Sequence, residues 1–270
     1  MVNPPKTALI GYTGFVGSNL LDARPFDDVY NSSNIEDIAG REYDLVVSAG
    51  NRADSFRINN HGDEDLAEID QLVDRILSAK IRKLVLISTV CVYPGETTPD
   101  EHAPLSEDDL TPYGRNRLHQ ERRLSEAVDT TIIRLPQLYG ARLKKGVVYD
   151  LAHDYRVEHI RPAGRFQHYD VRRLWSDIQI ALENDLPALN IATPPIRNSE
   201  LAQEVFGRDI SQQVPAEPES PFAQMYTRDM RTIHAGLFGS EGPYLHDRET
   251  EVAGLRAFAE QLRAEGSTHA

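Results

Sequence analysis

Sulfur is scarce in this sequence: one cysteine, Cys91, and three methionines among 270 residues. A single thiol excludes an internal disulfide and any CxxC metal site. His153, His159 and His168 have no metal-ligand spacing with it, so no metal is expected. Long apolar runs are also missing. Nothing approaches the roughly 18 consecutive apolar residues of a membrane span, and the start, MVNPPKTALIG, lacks the charged-then-apolar order of a signal peptide. No internal repeat is present. Positive charge is in deficit, with a formal net charge of -13. Such a chain is repelled by nucleic acid and by anionic membrane. These absences lead to the expectation of a soluble, cytoplasmic protein with neither partner.

What is present is a chain able to bury a large core, 40% hydrophobic by composition. KTALIGYTGFVGSNLL reads as strand, tight turn and helix, and FDDVYNSSN as a second strand ending in a polar turn. YDLVVSAG and RKLVLISTVCVY are strands apolar enough to be buried on both faces. DEDLAEIDQLVDRILSAK is an amphipathic helix with an acidic start, carrying Leu66, Ile69, Leu72, Val73, Ile76 and Leu77 on one stripe. PYGRNRLHQERRLSEAV is a further helix, TTIIRLPQLYG a fifth strand with its exit, RRLWSDIQIALEN a helix and ALNIA a strand. EVAGLRAFAEQLRAEG reads as a surface helix, and SQQVPAEPESP, residues 211–221, as a polar, proline-bearing loop. The alternation predicts an α/β fold with a parallel sheet covered on both faces, in which ligands bind beyond the carboxyl ends of the strands.

The residues placed there are informative. Gly11, Gly14 and Gly17 follow the first strand at GxxGxxG spacing, around Thr13, Phe15 and Val16. Glycine allows the tight turn and lets backbone N–H groups approach a pyrophosphate at a helix start. About twenty residues on, where an acid would hold the adenosine ribose, stand Asn31, Ser32 and Ser33. NAD and NADP therefore both stay open as cofactor. Ala49, Gly50 and Asn51 follow the third strand, and Thr89 and Cys91 the fourth. Residues 141–173 form a basic island in the acidic chain, with Arg142, Lys144, Lys145, Arg156, Arg161, Arg165, Arg172 and Arg173 against Asp150, Asp154, Glu158 and Asp170. It is either a solvated face or the seat of an anionic ligand.

In order and spacing, GYTGFVG, STVCVYP, PYGRNR, IIRLPQLYG and NIATPPIRNSELAQEVFG resemble the extended short-chain dehydrogenase/reductase superfamily. Within it they resemble the NAD-dependent epimerase/dehydratase family of nucleotide-sugar enzymes, over roughly residues 6–210. The resemblance implies a Rossmann-type doubly wound parallel sheet over 1–140. A small C-terminal substrate-binding lobe would follow over 141–270, with about 166–192 returning to the first domain. It implies NAD or NADP held by Gly11, Thr13, Gly14, Phe15, Val16, Gly17, Asn31, Ser32, Ala49, Gly50 and Asn51, together with Tyr113 and Arg117. It also implies a homodimer formed through about 63–79 and 113–127.

Tyr113 takes the family's general acid/base position, and Thr89 that of the hydroxyl sharing its substrate contact. Residue 117 departs: the family has lysine, this chain Arg117. Arginine stays protonated and cannot relay a proton. Val90 and Cys91 stand where the sugar dehydratases carry an acidic pair, which argues against 4,6-dehydration. The segment is closer to the sugar 3,5-epimerases, whose cysteine exchanges a proton beside a transient ketone; Lys145, followed by Gly146, would be its opposing group. Cys91 as plain core packing remains the alternative. Gln137, Arg142, Lys144 and Arg165 occupy positions where the family holds a diphosphate. The implied activity is epimerisation or reduction of a nucleotide-linked or phosphorylated sugar, a small anionic substrate, with reduction of another carbonyl compound and a non-catalytic, regulatory dinucleotide-binding protein as the alternatives.

Overall fold

In the computed structural model, residues 5–95, 97–215 and 228–268 are described. The chain divides into two compact units: 1–93, 103–135 and 172–189 in the first, and 94–102, 136–171 and 190–270 in the second. Among the described residues no helix is long and apolar enough to cross a membrane.

The first unit is built on β1 (Thr7–Ile10), β2 (Asp28–Tyr30), β3 (Glu42–Ser48), β4 (Lys80–Thr89), β5 (Thr130–Leu135) and β9 (Ala188–Asn190). These form a six-stranded sheet in the order β2-β1-β3-β4-β5-β9. The register runs parallel from β2 through β5, with Ala8 opposite both Asp28 and Val46, Val46 opposite Leu84, and Leu86 opposite Ile132. The chain departs from β1 in one direction to β2 and in the other to β3, so the sheet has its switch point at the carboxyl ends of β1 and β3. Helices α1 (Phe15–Ala23), α2 (Ser55–Asn60), α3 (Gly62–Leu77), α4 (Pro112–Ala127) and α6 (Leu174–Glu183) cover it, α3 beside α4 and α1 beside α6. The doubly wound α/β expectation holds. Ala8, Ile10, Val46, Leu84 and Leu86 from the sheet meet Ile69, Val73, Ile76 and Leu124 from the helices in one core cluster.

Two strand limits differ from the sequence reading. The fourth strand stops at Thr89 instead of running to Tyr93, and residues 90–92 form a 3-10 turn. The Thr89 hydroxyl accepts the Cys91 N–H at 3.2 Å, and this local bond competes with the sheet ladder. The fifth strand breaks at Pro136, which has no N–H to give. The chain resumes as β6 (Gln137–Tyr139), paired with β8 (His168–Asp170).

Helix α4 is held to the sheet by charge as well as by apolar contact. Glu121 accepts from Arg134 Nε (3.1 Å) and Nη2 (2.8 Å) and from the Ser88 hydroxyl, while Arg134 Nη1 donates to Tyr93 Oη at 2.7 Å. All four residues are buried. The network ties α4, β4, β5 and the segment after the 3-10 turn together.

In the second unit, β6 and β8 form a parallel pair, and β7 (Arg165–Phe166) lies antiparallel to β10 (Ile196–Arg197). Helices α5 (Val147–Ala152), α7 (Asn198–Phe206) and α8 (Arg248–Thr268) pack Leu151, Leu201, Val205, Val252, Leu255 and Phe258 around Tyr139. Glu101 accepts from Thr232 Oγ1 at 2.7 Å and from Ile233 N at 2.9 Å, which draws two segments of the unit together. The expected loop over 211–221 begins in a turn at Ser211; its residues from 216 lie outside the described ones.

Two predictions follow from buried charge. Arg134→Met leaves Glu121 buried without its cation, and the urea midpoint should fall by the equivalent of about 3–5 kcal/mol. His168 is fully buried, and neither ring nitrogen has a hydrogen-bond partner among the described residues. Burial lowers its pKa to about 4. Below about pH 6.5 the unfolded chain takes up a proton that the folded chain refuses, so stability falls as pH drops from 6.5 toward 4, by up to about 3 kcal/mol. His168→Leu should flatten that part of the stability–pH curve.

Candidate active site

Three glycines at the end of β1 meet three different steric demands. Gly11 has φ +85°, and a Cβ there would lie 2.4 Å from the Ala49 carbonyl oxygen. A Cβ on Gly17 would lie 2.1 Å from the Gly11 carbonyl oxygen, so helix α1 can start this close to β1 only with glycine. Gly14 is exposed, and the Gly11 carbonyl at 3.3 Å is the one neighbour its Cβ would meet. Gly14 caps α1 without any side-chain bond. The first-turn N–H groups of Phe15, Val16 and Gly17 are therefore not claimed by a cap, with Thr13 exposed beside them. A helix start of this kind suits the diphosphate of a dinucleotide.

At the end of β2, Asn31 is largely engaged. Its Oδ1 accepts from Ser33 N (2.8 Å) and Oγ (2.6 Å), and its Nδ2 donates to Tyr12 Oη at 3.3 Å. Ser32 is exposed. At the end of β3, Ala49 lines the Gly11 turn, and Asn51 exchanges reciprocal amide hydrogen bonds with Gln120 of α4.

The same helix supplies the candidate catalytic residues. Thr111 caps α4, with Pro112 in its first turn. Tyr113, Arg117 and Glu121 recur every four residues and so share one buried face. The Tyr113 N–H donates to Asn59 Oδ1 at 3.0 Å, and its hydroxyl lies within reach of Thr89 and Arg117, both of which favour the phenolate. The structure thus brings Thr89, Cys91, Tyr113 and Arg117 together. Burial pushes the Tyr113 pKa up. The Arg117 charge and the bonds from Thr89 and Arg117 oppose this, while Cys91 adds to it. The net direction is upward, so the phenol keeps its proton at neutral pH.

Arg117 is itself buried, with its guanidinium carbon 4.6 Å from the centre of the Tyr113 ring. Its Nη1 and Nη2 donate to the two carboxylate oxygens of Asp65 at 2.8 and 3.1 Å, and Nη2 also donates to the Arg52 carbonyl at 2.6 Å. Asn116 Nδ2 adds a bond to Asp65 at 2.9 Å. Asp65, Asn116, Asn59 and Gly114 were not singled out from sequence. Asp65 did leave a signal: it falls on the helical stripe of Ile69, Val73 and Ile76, where a carboxylate needs a reason.

The remaining candidates belong to the second unit. Gln137 lies opposite His168 across the β6–β8 pair, and its Oε1 is 3.8 Å from where a Gly146 Cβ would stand. Gly146, at φ +97°, caps α5, and Arg142, Lys144 and Lys145 are exposed just before it. Arg165 is exposed on β7, directly opposite Arg197.

Residues 26–172 match the model of a family described as the NAD dependent epimerase/dehydratase family. No curated protein matches the sequence. Among solved structures, the chain resembles UDP-glucose 4-epimerase from Thermotoga maritima, crystallised with UDP-glucose, at TM-score 0.74 and 16% identity over 96% of this chain and 99% of that one. It also resembles MoeE5 in complex with UDP-glucuronic acid and NAD, at TM-score 0.73 and 16% identity over 96% and 99%. A third similar structure is dTDP-4-dehydrorhamnose reductase from Yersinia enterocolitica, at TM-score 0.70 and 14% identity over 96% and 100%. Identities this low speak for a shared fold.

The start of α4 approaches the 3-10 turn so closely that a Cβ on Gly114 would lie 2.0 Å from the Cys91 carbonyl oxygen. A backbone carbonyl in a tight turn has little room to yield. Gly114→Ala should therefore cost about 1–3 kcal/mol in a urea titration and move the helix start that carries Tyr113.

Proposed function

Since the chain belongs to the NAD dependent epimerase/dehydratase family, we propose that it acts on a nucleotide-linked sugar by oxidation and reduction at one carbinol carbon, with epimerisation beside the transient ketone. The observation that carries this reading is the Thr89–Tyr113 hydroxyl pair with Cys91 in the same turn. Gly11 to Gly17 would hold the diphosphate of NAD or NADP, and the dinucleotide, when bound, is the hydride acceptor and donor. Thr89 holds the sugar hydroxyl; in the oxidising half Tyr113 first releases its own proton to solvent and, as the phenolate, accepts the hydroxyl proton, which it returns in the reducing half. Between the halves, the ketone acidifies the adjacent C–H. Cys91 and Lys145 are the proposed groups that remove and replace that proton. Gln137, Arg142, Lys144 and Arg165 are the proposed contacts to the sugar's diphosphate. A homodimer through α3 and α4 belongs to the same reading, with sedimentation as its measurement.

A second reading, reduction of a keto-sugar without epimerisation, is favoured by Tyr113. A phenol that keeps its proton is ready to donate to an alkoxide, which is what reduction demands of it.

Incubation with a panel of nucleotide sugars in deuterated water, read by mass spectrometry, separates the two. Epimerisation predicts deuterium on carbon, lost in Cys91→Ser. Net oxidation of the reduced dinucleotide without deuterium uptake at carbon selects reduction. In either case Tyr113→Phe should slow turnover by about 10²–10⁴-fold while dinucleotide binding persists. Turnover unaffected by Tyr113→Phe, or no sugar processed by a chain that binds the dinucleotide, would overturn the enzymatic reading.

A further inference from the structure

The arginine at 117 is accompanied by a carboxylate built to receive it. Asp65 is 6% exposed and Arg117 2%. The carboxylate engages both terminal nitrogens of the fork, and its orientation is set by Asn116, whose Nδ2 also donates to the Gly62 carbonyl at 2.8 Å. The Arg52 carbonyl takes a further N–H from Nη2. Bidentate pairing of this kind matches the planar fork of arginine and cannot be reproduced by a lysine ammonium. An uncompensated guanidinium in a buried site would act strongly on a neighbouring phenol, whereas one held against a carboxylate acts much less.

We propose that Asp65 is a positioning residue for the chemistry of Tyr113: it takes up both terminal nitrogens of Arg117, fixes the guanidinium over the Tyr113 ring and offsets its charge, so that Tyr113 rests as a proton donor. This deepens the reading above, on which it rests, by assigning the resting site to the ketone-reducing half of the chemistry. The charged or titratable groups that act on Tyr113 are Arg117 from its own helix and Cys91 from the turn after β4, with Asp65 on α3 acting through Arg117. Burial, which raises the Tyr113 pKa, agrees in direction.

The test is a pH titration of phenolate absorbance. Eleven tyrosines are present, so the signal of interest is the difference between each protein and the same protein carrying Tyr113→Phe. In the parent chain the Tyr113 midpoint should lie above about 10, the value of free tyrosine. In Asp65→Asn it should fall below about 10, a drop of at least about one unit, because the cation at 117 then acts on the phenol uncompensated. Simple exposure of the ring can bring the midpoint down to about 10 but not beneath it. A midpoint that stays at or above about 10 in a folded Asp65→Asn protein therefore overturns the proposal and leaves Asp65 a structural residue. Should Asp65→Asn fail to fold, Arg117→Lys decides. With Asp65 in place to claim the ammonium, the midpoint should stay above about 10; a fall below it overturns the proposal. No substrate enters this titration, so its failure is distinct from a failure of the sugar assay.

Discussion

Helix α4 buries a polar face, and the geometry of the first unit near the site depends on what that face is bonded to. Tyr113, Arg117 and Glu121 lie one helical turn apart along it. Glu121 is paired with Arg134 and Ser88, Arg117 with Asp65, and Gln120 with Asn51. A helix normally settles on a sheet by an apolar stripe that tolerates small slides and rotations. Here a rotation of α4 would separate two buried ion pairs and an amide pair together. Each broken ion pair would leave a charge in low dielectric at a cost of several kcal/mol. Such pairs add little net stability over well-packed apolar residues, but they are intolerant of misplacement. That intolerance keeps Tyr113 beside Thr89.

The arrangement also shows how a substitution at a reactive position can be accommodated. Arginine at residue 117 brings a larger, permanently charged group into a buried site. The site receives it with a backbone carbonyl and a carboxylate, the carboxylate itself held by the Asn116 amide. The electrostatic consequence reaches Tyr113, where burial outweighs the attenuated cation and the phenol keeps its proton. The departure from the lysine expected at this position thus comes with its own buried counter-ion, Asp65.

Legibility in the sequence followed the physics of each feature. The glycine turn could be read because backbone sterics act locally: a strand, three glycines and a helix are all that Gly11 and Gly17 require. The parallel sheet could be read because β3, β4 and β5 are apolar over consecutive residues. Thr89 and Tyr113 could be paired only through the order of motifs, since nothing local joins residues 24 positions apart. Asp65 was hidden in an acidic run, where Asp63 and Glu64 are ordinary helix-start charges and its own position on the apolar stripe was the sole hint. Arg134 likewise sits in a strand buried at every residue, a sign that some acid must meet it, without saying which. Gly114 was the least legible. Its demand comes from the Cys91 carbonyl, and that carbonyl is presented only because the strand stops at Thr89 and turns.

Cys91 acquires a sharper meaning from that turn. Its N–H is bonded to Thr89, and its charge, when it has one, raises the Tyr113 pKa. Burial and Cys91 act on Tyr113 in the same direction, both favouring the protonated phenol. The distance between a strand end and a helix start, set by Gly114, is thereby an electrostatic parameter as well as a packing one.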